Sequence, residues 1–145
     1  MRKWLLIVAL CGSWLARDAV ADEYDPLKVE AIQSVRSIDL SVIDVARDRE
    51  IPIRVYLPPE IAGQSRRAAS PVVLFSHGLG GSRAGSPFLG KHWAARGYVA
   101  VFLQHPGSDE SVWKDEPLAK RMAAMRTAAS GKNYLRRAQD VPAVL

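Results

Sequence analysis

Apolar and polar residues alternate in two stretches near the start of the chain, on either side of a short charged segment. The apolar positions are Ile38, Leu40 and Val42 in the first stretch and Ile51, Ile53, Val55 and Leu57 in the second. A period of two is typical of strands that bury one face, and two such strands joined by the charged residues 46–50 predict an antiparallel hairpin. We expect Pro58 and Pro59 to end the second strand, because proline cannot donate a hydrogen bond to a strand ladder.

Two later stretches, residues 71–75 and 98–103, are apolar without any alternation. Continuous apolar runs are typical of parallel strands that are covered on both faces. Between them, Ser86 and Pro87 favour the start of a helix, with the serine as its cap, and Gly97 favours its end. A strand, a helix and a strand within about thirty residues predict a right-handed β-α-β unit.

A second helical pattern follows Glu116. Its apolar residues recur at helical spacing and are Leu118, Met122, Met125 and Ala129. This stripe predicts a helix that faces the core or covers a site as a lid, and we expect Gly131 to end it. Further on, Asp140 is expected to cap one more helix and Pro142 to lie in its first turn.

The composition is that of an ordinary globular chain with a moderate positive charge. The 145 residues include 20 basic and 15 acidic side chains, which give a net charge of +5. The basic residues form isolated pairs such as Arg66–Arg67 and Arg136–Arg137, with no aromatic residues between them, so nucleic acid is not an expected partner. The three histidines have no carboxylate pair at ligand spacing, and we expect no metal site.

Residues 1–21 have the pattern of a signal peptide. A basic start at Arg2 and Lys3 precedes a mostly apolar segment, and Ala19–Val20–Ala21 matches the small-residue cleavage pattern. The apolar segment is too short for a convincing membrane span, so no span is expected once it is removed. We therefore expect export to the periplasm or the extracellular space, and an irregular lead-in over residues 22–36.

The clearest chemical feature is the histidine and glycine cluster His77–Gly81, directly after the first continuous apolar run. Ligands of open α/β sheets bind beyond the carboxyl ends of the strands, and glycines allow backbone N–H groups to converge on an anion. Phosphate and the oxyanion of an acyl-transfer intermediate are both anions of this kind. A Walker loop needs a lysine where Ser86 stands, and a dinucleotide loop needs a glycine where Arg83 stands. Both nucleotide interpretations fail for these reasons.

The chain resembles the alpha/beta-hydrolase superfamily and, within it, bacterial proteins similar to dienelactone hydrolases and platelet-activating factor acetylhydrolases. The segments that carry the resemblance are Phe75–Gly81 (FSHGLGG), Arg96–Val101 (RGYVAV) and His105–Asp109 (HPGSD). The resemblance implies an α/β fold in which residues 37–145 form the N-terminal portion of a hydrolase domain. It also implies a serine hydrolase that acts on small carboxylic esters or lactones and uses no cofactor.

The resemblance assigns roles to residues of the glycine-rich loop and of the next strand end. The main-chain amide of Leu79 would be one donor of the oxyanion hole. The residues expected to support this loop are His77, Gly78, Gly80 and Gly81. His105 would either line the substrate pocket or fix its own loop by hydrogen bonding.

These hydrolases carry their nucleophile on a Gly-x-Ser-x-Gly elbow, and this pentapeptide does not occur in the chain. Ser82 comes nearest, but it belongs to the oxyanion loop and is better explained as a solvent-facing loop serine. In the family the acid and the histidine follow the nucleophile, so all three catalytic residues are expected beyond Leu145. We therefore expect a hydrolase domain that is truncated before the nucleophile strand and is inactive alone.

One alternative stays open at the level of sequence. The chain would then be a non-enzymatic exported binding or assembly protein that keeps this part of the hydrolase sheet. Such a protein would pair the open edge of the sheet with a partner, by adding a strand across the edge.

Overall fold

The computed structural model describes residues 35–59 and 69–145. Its strands are β1 (Arg36–Asp44), β2 (Arg49–Leu57), β3 (Val72–Ser76) and β4 (Val99–Leu103), and its α-helices are α1 (Pro87–Ala95), α2 (Leu118–Ala128) and α3 (Gly131–Val144). Two short 3-10 helices, Val45–Arg47 and Glu110–Val112, lie in the connections. The expected signal peptide and nearly all of the expected lead-in lie outside the described residues.

The predicted hairpin is confirmed. β1 and β2 pair in antiparallel fashion, with Leu40 opposite Ile53 and Val42 opposite Ile51. The turn between them is fixed by Asp44, whose side chain accepts a hydrogen bond from the Arg47 amide. The alternation has different consequences in the two strands, because the apolar face of β2 is buried, whereas Leu40 in the edge strand β1 is 48% exposed.

The four strands form one mixed sheet in the order β1-β2-β4-β3. β4 is antiparallel to β2 and parallel to β3, and the parallel register runs from Val72 opposite Val99 to Ser76 opposite Leu103. Helix α1 connects the two parallel strands, so the predicted strand-helix-strand unit is confirmed. Gly97, with φ +92°, makes the left-handed turn between α1 and β4.

The core consists of two clusters, one on each face of the sheet. On one face, α3 places Val141 and Val144 against a cluster of buried β2 and β4 residues that includes Ile51 and Leu103. On the other face, Trp93 of α1 packs against a cluster that includes Phe102. Successive side chains of a strand point to opposite faces, and β4 therefore contributes to both clusters.

Three expectations about the helix ends are wrong. Ser86 adopts a left-handed conformation (φ 53°), and its side chain makes no capping hydrogen bond to α1. Gly131 does not end α2 but begins α3, because the Ser130 side chain accepts the Asn133 amide and acts as the cap. Asp140 and Pro142 then lie near the end of α3 rather than at the start of a helix.

The apolar stripe of α2 is also only partly buried. Leu118 is 81% exposed and Met122 is 64% exposed, so a core-facing stripe is wrong for these two residues. Met125 is the exception, because its side chain lies against Gly80 in the glycine-rich loop. α2 thus contacts the loop through its second half.

Replacing Phe102 tests the core on the α1 face. Phe102 is fully buried, and its ring centroid lies 4.5 Å from that of Phe75 and 5.1 Å from that of Tyr56. We expect Phe102→Ala to lower the free energy of unfolding by about 3–5 kcal/mol, because it removes a large ring and leaves a cavity. The control Phe88→Ala removes a ring that is 65% exposed, and should change it by about 0.5 kcal/mol or less. Equal shifts of the two variants in urea denaturation would contradict this description of the core.

Candidate active site

The loops that follow β3 and β4 meet at one edge of the sheet, because the two strands are parallel and adjacent. Backbone hydrogen bonds join these loops directly. The Gly80 amide donates to the Ser108 carbonyl at 2.8 Å, and the Glu110 amide donates to the Gly81 carbonyl at 2.8 Å. The two loops therefore form one fixed surface beyond the carboxyl ends of the strands.

Leu79 lies in the turn of the first loop, outside the strand ladder. The two amides that follow it are engaged, that of Gly80 with Ser108 and that of Gly81 with the Gly78 carbonyl at 3.0 Å. Within the described ranges, the Leu79 amide has no such acceptor. The turn thus holds one backbone donor that is not engaged by the described residues.

Only glycine fits at position 80. Its φ is +73°, and a Cβ there would lie 2.6 Å from Cε of Met125 and 2.9 Å from Nε1 of Trp113. The Trp113 indole N–H also donates to the Gly80 carbonyl at 2.7 Å. Gly78 differs, because its φ is not positive and a Cβ there would meet nothing within 4 Å. Gly78 therefore supports the loop through its carbonyl, which accepts the Gly81 amide and lies 2.7 Å from Nδ1 of His77, and not through a conformation that only glycine adopts.

His77 is buried and holds the two loops together. Its Nδ1 lies 2.7 Å from the Gly78 carbonyl, and its Nε2 accepts the His105 amide at 3.1 Å. This pattern fixes the tautomer with hydrogen on Nδ1. Burial lowers the pKa of His77 below its ordinary value, so at neutral pH the ring braces the loop as an uncharged group.

His105 is fully buried, so of the two roles expected from the sequence, lining an accessible pocket is wrong and fixing the loop by hydrogen bonding is right. Its Nε2 lies 2.9 Å from Oγ of Ser76, and its Nδ1 lies 2.9 Å from Oδ2 of Asp140. Burial lowers the pKa of His105, and the hydrogen bond to Asp140 opposes this shift only in part. His105 therefore links the end of β3 to helix α3.

Asp140 is the group that sequence reasoning placed wrongly. Its fully buried carboxylate accepts hydrogen bonds from Arg49 Nε at 2.7 Å, Arg49 Nη2 at 2.8 Å and Arg47 Nη1 at 3.0 Å, besides His105. Burial raises the pKa of the carboxyl, but the bonds from Arg49 and His105 outweigh that effect, so the pKa lies below its ordinary value. Asp140 thus connects α3, the hairpin and the loop after β4.

Arg137, one helical turn before Asp140, reaches both loops. Its guanidinium donates to Oγ of Ser108 at 3.0 Å and to the carbonyl oxygen of His77. Burial lowers the pKa of this arginine from its ordinary value, but a guanidinium stays charged at neutral pH. Sequence reasoning missed Arg137, since an arginine pair on a helix is most often a solvated surface.

A cavity of about 560 Å³ opens beside these groups. Leu79 and Arg137 line it, together with Tyr134 and small residues from the junction of α2 and α3. Across residues 35–59 and 69–145, no three His, Cys, Asp or Glu side chains are grouped closely enough to hold a metal ion. None of the helices in the described part of the chain is long and apolar enough to cross a membrane.

A mixed sheet whose parallel strands end in a glycine-rich turn is the architecture of the alpha/beta-hydrolase superfamily, and the resemblance to this class is confirmed. The chain belongs to the family described as platelet-activating factor acetylhydrolase, isoform II, whose family model matches residues 60–140.

Among solved structures, the chain is similar to a novel cold-adapted esterase from an Arctic intertidal metagenomic library, with 16% sequence identity and a TM-score of 0.46. The similarity covers 74% of this chain and 43% of the esterase chain, so this chain spans less than half the length of that protein. No curated protein matches the chain.

Removing the charge of Asp140 tests whether it organises the site. We expect Asp140→Asn to lower the free energy of unfolding by about 3–5 kcal/mol, because it removes the buried carboxylate that pairs with the partly buried Arg47 and Arg49. The matched control is Asp39→Asn, which breaks the Arg54 ion pair on β1, where the Asp39 side chain is 42% exposed. That exposed pair should contribute about 1 kcal/mol or less. Similar urea midpoints for the two variants would refute a special role for Asp140.

Acid should destabilise the fold in two stages. The pKa values of His77 and His105 are lowered in the folded state from 6.5, so their contribution is complete above about pH 6.5 and is lost as the pH falls through their folded-state values. The pKa of Asp140 is lowered from 3.8, which adds a further loss below about pH 4. We expect the free energy of unfolding to fall as the pH drops from about 7 through the interval below about 6.5, and to fall less steeply in His105→Gln. A stability that is constant over this interval would show that neither imidazole is held uncharged.

Proposed function

We propose that the chain supplies the oxyanion loop of an exported serine ester hydrolase, with the main-chain amide of Leu79 as a donor. The observation that carries this proposal is the available Leu79 N–H beyond the carboxyl end of β3, next to glycine amides that are already engaged. The cavity beside Leu79 provides room for a small acyl group. Residues 1–21 would direct export to the periplasm or the extracellular space.

The chemistry needs such a donor at this place. When a serine Oγ attacks the carbonyl of an ester or lactone, negative charge develops on the carbonyl oxygen. A backbone N–H aimed at that oxygen stabilises the transition state without any reorganisation during the reaction. The surrounding contacts keep the amide in position, because Gly80 donates its own amide to the Ser108 carbonyl and accepts the Trp113 indole N–H.

The attacking serine would come from residues outside this chain. No Gly-x-Ser-x-Gly elbow occurs in the 145 residues, and Ser82 lies within the loop itself, where its Oγ accepts the Ala84 amide at 3.3 Å. The activity toward esters or lactones therefore belongs to a protein that contains both this chain and a nucleophile segment.

A second candidate function follows from the sheet edge. Among the described residues β3 is an edge strand of the sheet, and its Val72 side chain is 53% exposed. A non-enzymatic exported protein would use this edge to add a strand from a partner. A stable complex through β3, in a protein that has no nucleophile segment, would favour this function over the hydrolase.

The hydrolase proposal is tested by removing the Leu79 amide. The reading frame beyond codon 145 and the adjacent frames are first read for a Gly-x-Ser-x-Gly segment, and the protein that contains both parts is assayed with p-nitrophenyl acetate. Leu79→Pro removes the N–H, and we expect it to lower kcat about 100- to 1000-fold. The control Leu79→Ala keeps the N–H and should lower kcat far less.

Two results would contradict the proposal. One is the lack of any nucleophile segment or its remnant in these frames. The other is a folded Leu79→Pro variant, with the melting temperature of Leu79→Ala, that hydrolyses the ester as fast as Leu79→Ala does.

A further inference from the structure

Ser76, His105 and Asp140 form a hydrogen-bonded triad of side chains that the proposed function does not use. Its two contacts are both 2.9 Å, and they join Ser76 Oγ to His105 Nε2 and His105 Nδ1 to Asp140 Oδ2. A hydroxyl within reach of an imidazole, whose other nitrogen is held by a carboxylate, is the arrangement that activates a serine nucleophile. Such an arrangement is recognised by geometry and not by chain order.

The protonation states fit this role. An ionised Asp140 can only accept, so hydrogen must be on Nδ1 of His105, and Nε2 is left to accept the Ser76 hydroxyl. Hydrogen bonds from Arg49 and His105 outweigh the effect of burial and hold the pKa of Asp140 below its ordinary value. Burial lowers the pKa of His105. At neutral pH the imidazole is therefore uncharged and able to take a proton from Ser76.

Ser76 lies at the surface although its partners are buried. Ser76 is exposed and ends the edge strand β3, whereas His105 and Asp140 have no exposed surface. The Val99 amide donates to the Pro71 carbonyl at 2.9 Å. Because main-chain groups of a parallel strand alternate between its two sides, this bond places the N–H of Ser76 on the side of β3 away from β4, where no strand pairs among residues 35–59 and 69–145. That amide can stabilise charge on a group attached to the Ser76 oxygen, as a nucleophile's own amide does.

We propose that Ser76 is a nucleophile, deprotonated by His105 and oriented through Asp140, that forms covalent adducts with small activated acyl or phosphonyl compounds. With a fluorophosphonate, the Ser76 Oγ–phosphorus bond forms as the phosphorus–fluorine bond breaks. The hydroxyl proton passes to Nε2 of His105, and fluoride leaves. The reaction is a single turnover within this chain, whereas the proposed ester hydrolase takes its nucleophile from outside it.

The test is covalent labelling of the 145-residue chain with a methyl fluorophosphonate, followed by intact mass and peptide mapping. We expect a single phosphonyl group on the peptide that contains Ser76. Ser76→Ala should abolish it, and the matched control Ser82→Ala, in the neighbouring loop, should leave the labelling rate unchanged. Asp140→Asn should slow labelling by several orders of magnitude, as a misoriented histidine does in a triad.

The pH profile separates activation from a structural role. The groups that face His105 are Asp140, Arg137 and His77. Burial lowers the pKa of His105 despite the hydrogen bond to Asp140, which predicts a labelling rate that rises with pH to a plateau, with its midpoint below 6.5. A serine without a base would show no such plateau. The proposal is overturned if wild type takes up no label, if the label persists in Ser76→Ala, or if the rate lacks this plateau. None of these results bears on Leu79, so failure here is distinguishable from failure of the proposed hydrolase.

Discussion

The buried carboxylate of Asp140 is the constraint on which the arrangement of the site depends. A charge without exposed surface must be matched by donors at short range, and Asp140 takes them from Arg47 and Arg49 in the hairpin and from His105 after β4. These donors come from segments far apart in the chain. Satisfying them fixes where the last helix lies against the sheet.

The position of α3 in turn determines the geometry of the loops. Arg137 lies on the same face of α3 as Asp140, one turn earlier, and donates to the His77 carbonyl and to Ser108. His77 and Ser108 are two of the residues through which the loop after β3 is attached to the loop after β4. The Leu79 amide is therefore held by contacts that extend back to α3, and little rearrangement is needed when it meets a developing charge.

The sequence predicted those parts of the fold that depend on local patterns. Alternation and continuous apolar runs identified the hairpin and the parallel strands, and Gly97 identified the end of α1, since each signal lies within the element that it describes. The glycine-rich loop was found in the same way, and the role of Leu79 within it stays a prediction. Gly131 shows the limit of local signals. Glycine commonly ends a helix, but Gly131 follows the Ser130 cap and is the first residue of α3.

The parts that the sequence did not predict depend on distant partners. Asp140 was assigned to a helix cap because a proline follows it closely, yet its partners Arg49 and His105 are 91 and 35 residues away. For His105 the sequence left two roles open, lining a pocket or fixing its loop by hydrogen bonding. The fold decides for the second, because the ring is fully buried and hydrogen-bonded to Ser76 and Asp140. Such pairings require the tertiary fold, and one sequence alone does not contain them.

The tautomer of His105 tests the central claim most directly. In a ¹H–¹⁵N correlation spectrum of the histidine side chains at neutral pH, Asp140 should hold the hydrogen of His105 on Nδ1, with a strongly downfield resonance that is lost in Asp140→Asn. An uncharged His105 with hydrogen on Nε2, or a doubly protonated ring, would contradict the account. Either result would mean that Asp140 does not orient the ring and that the contacts between α3 and the two loops differ from those described.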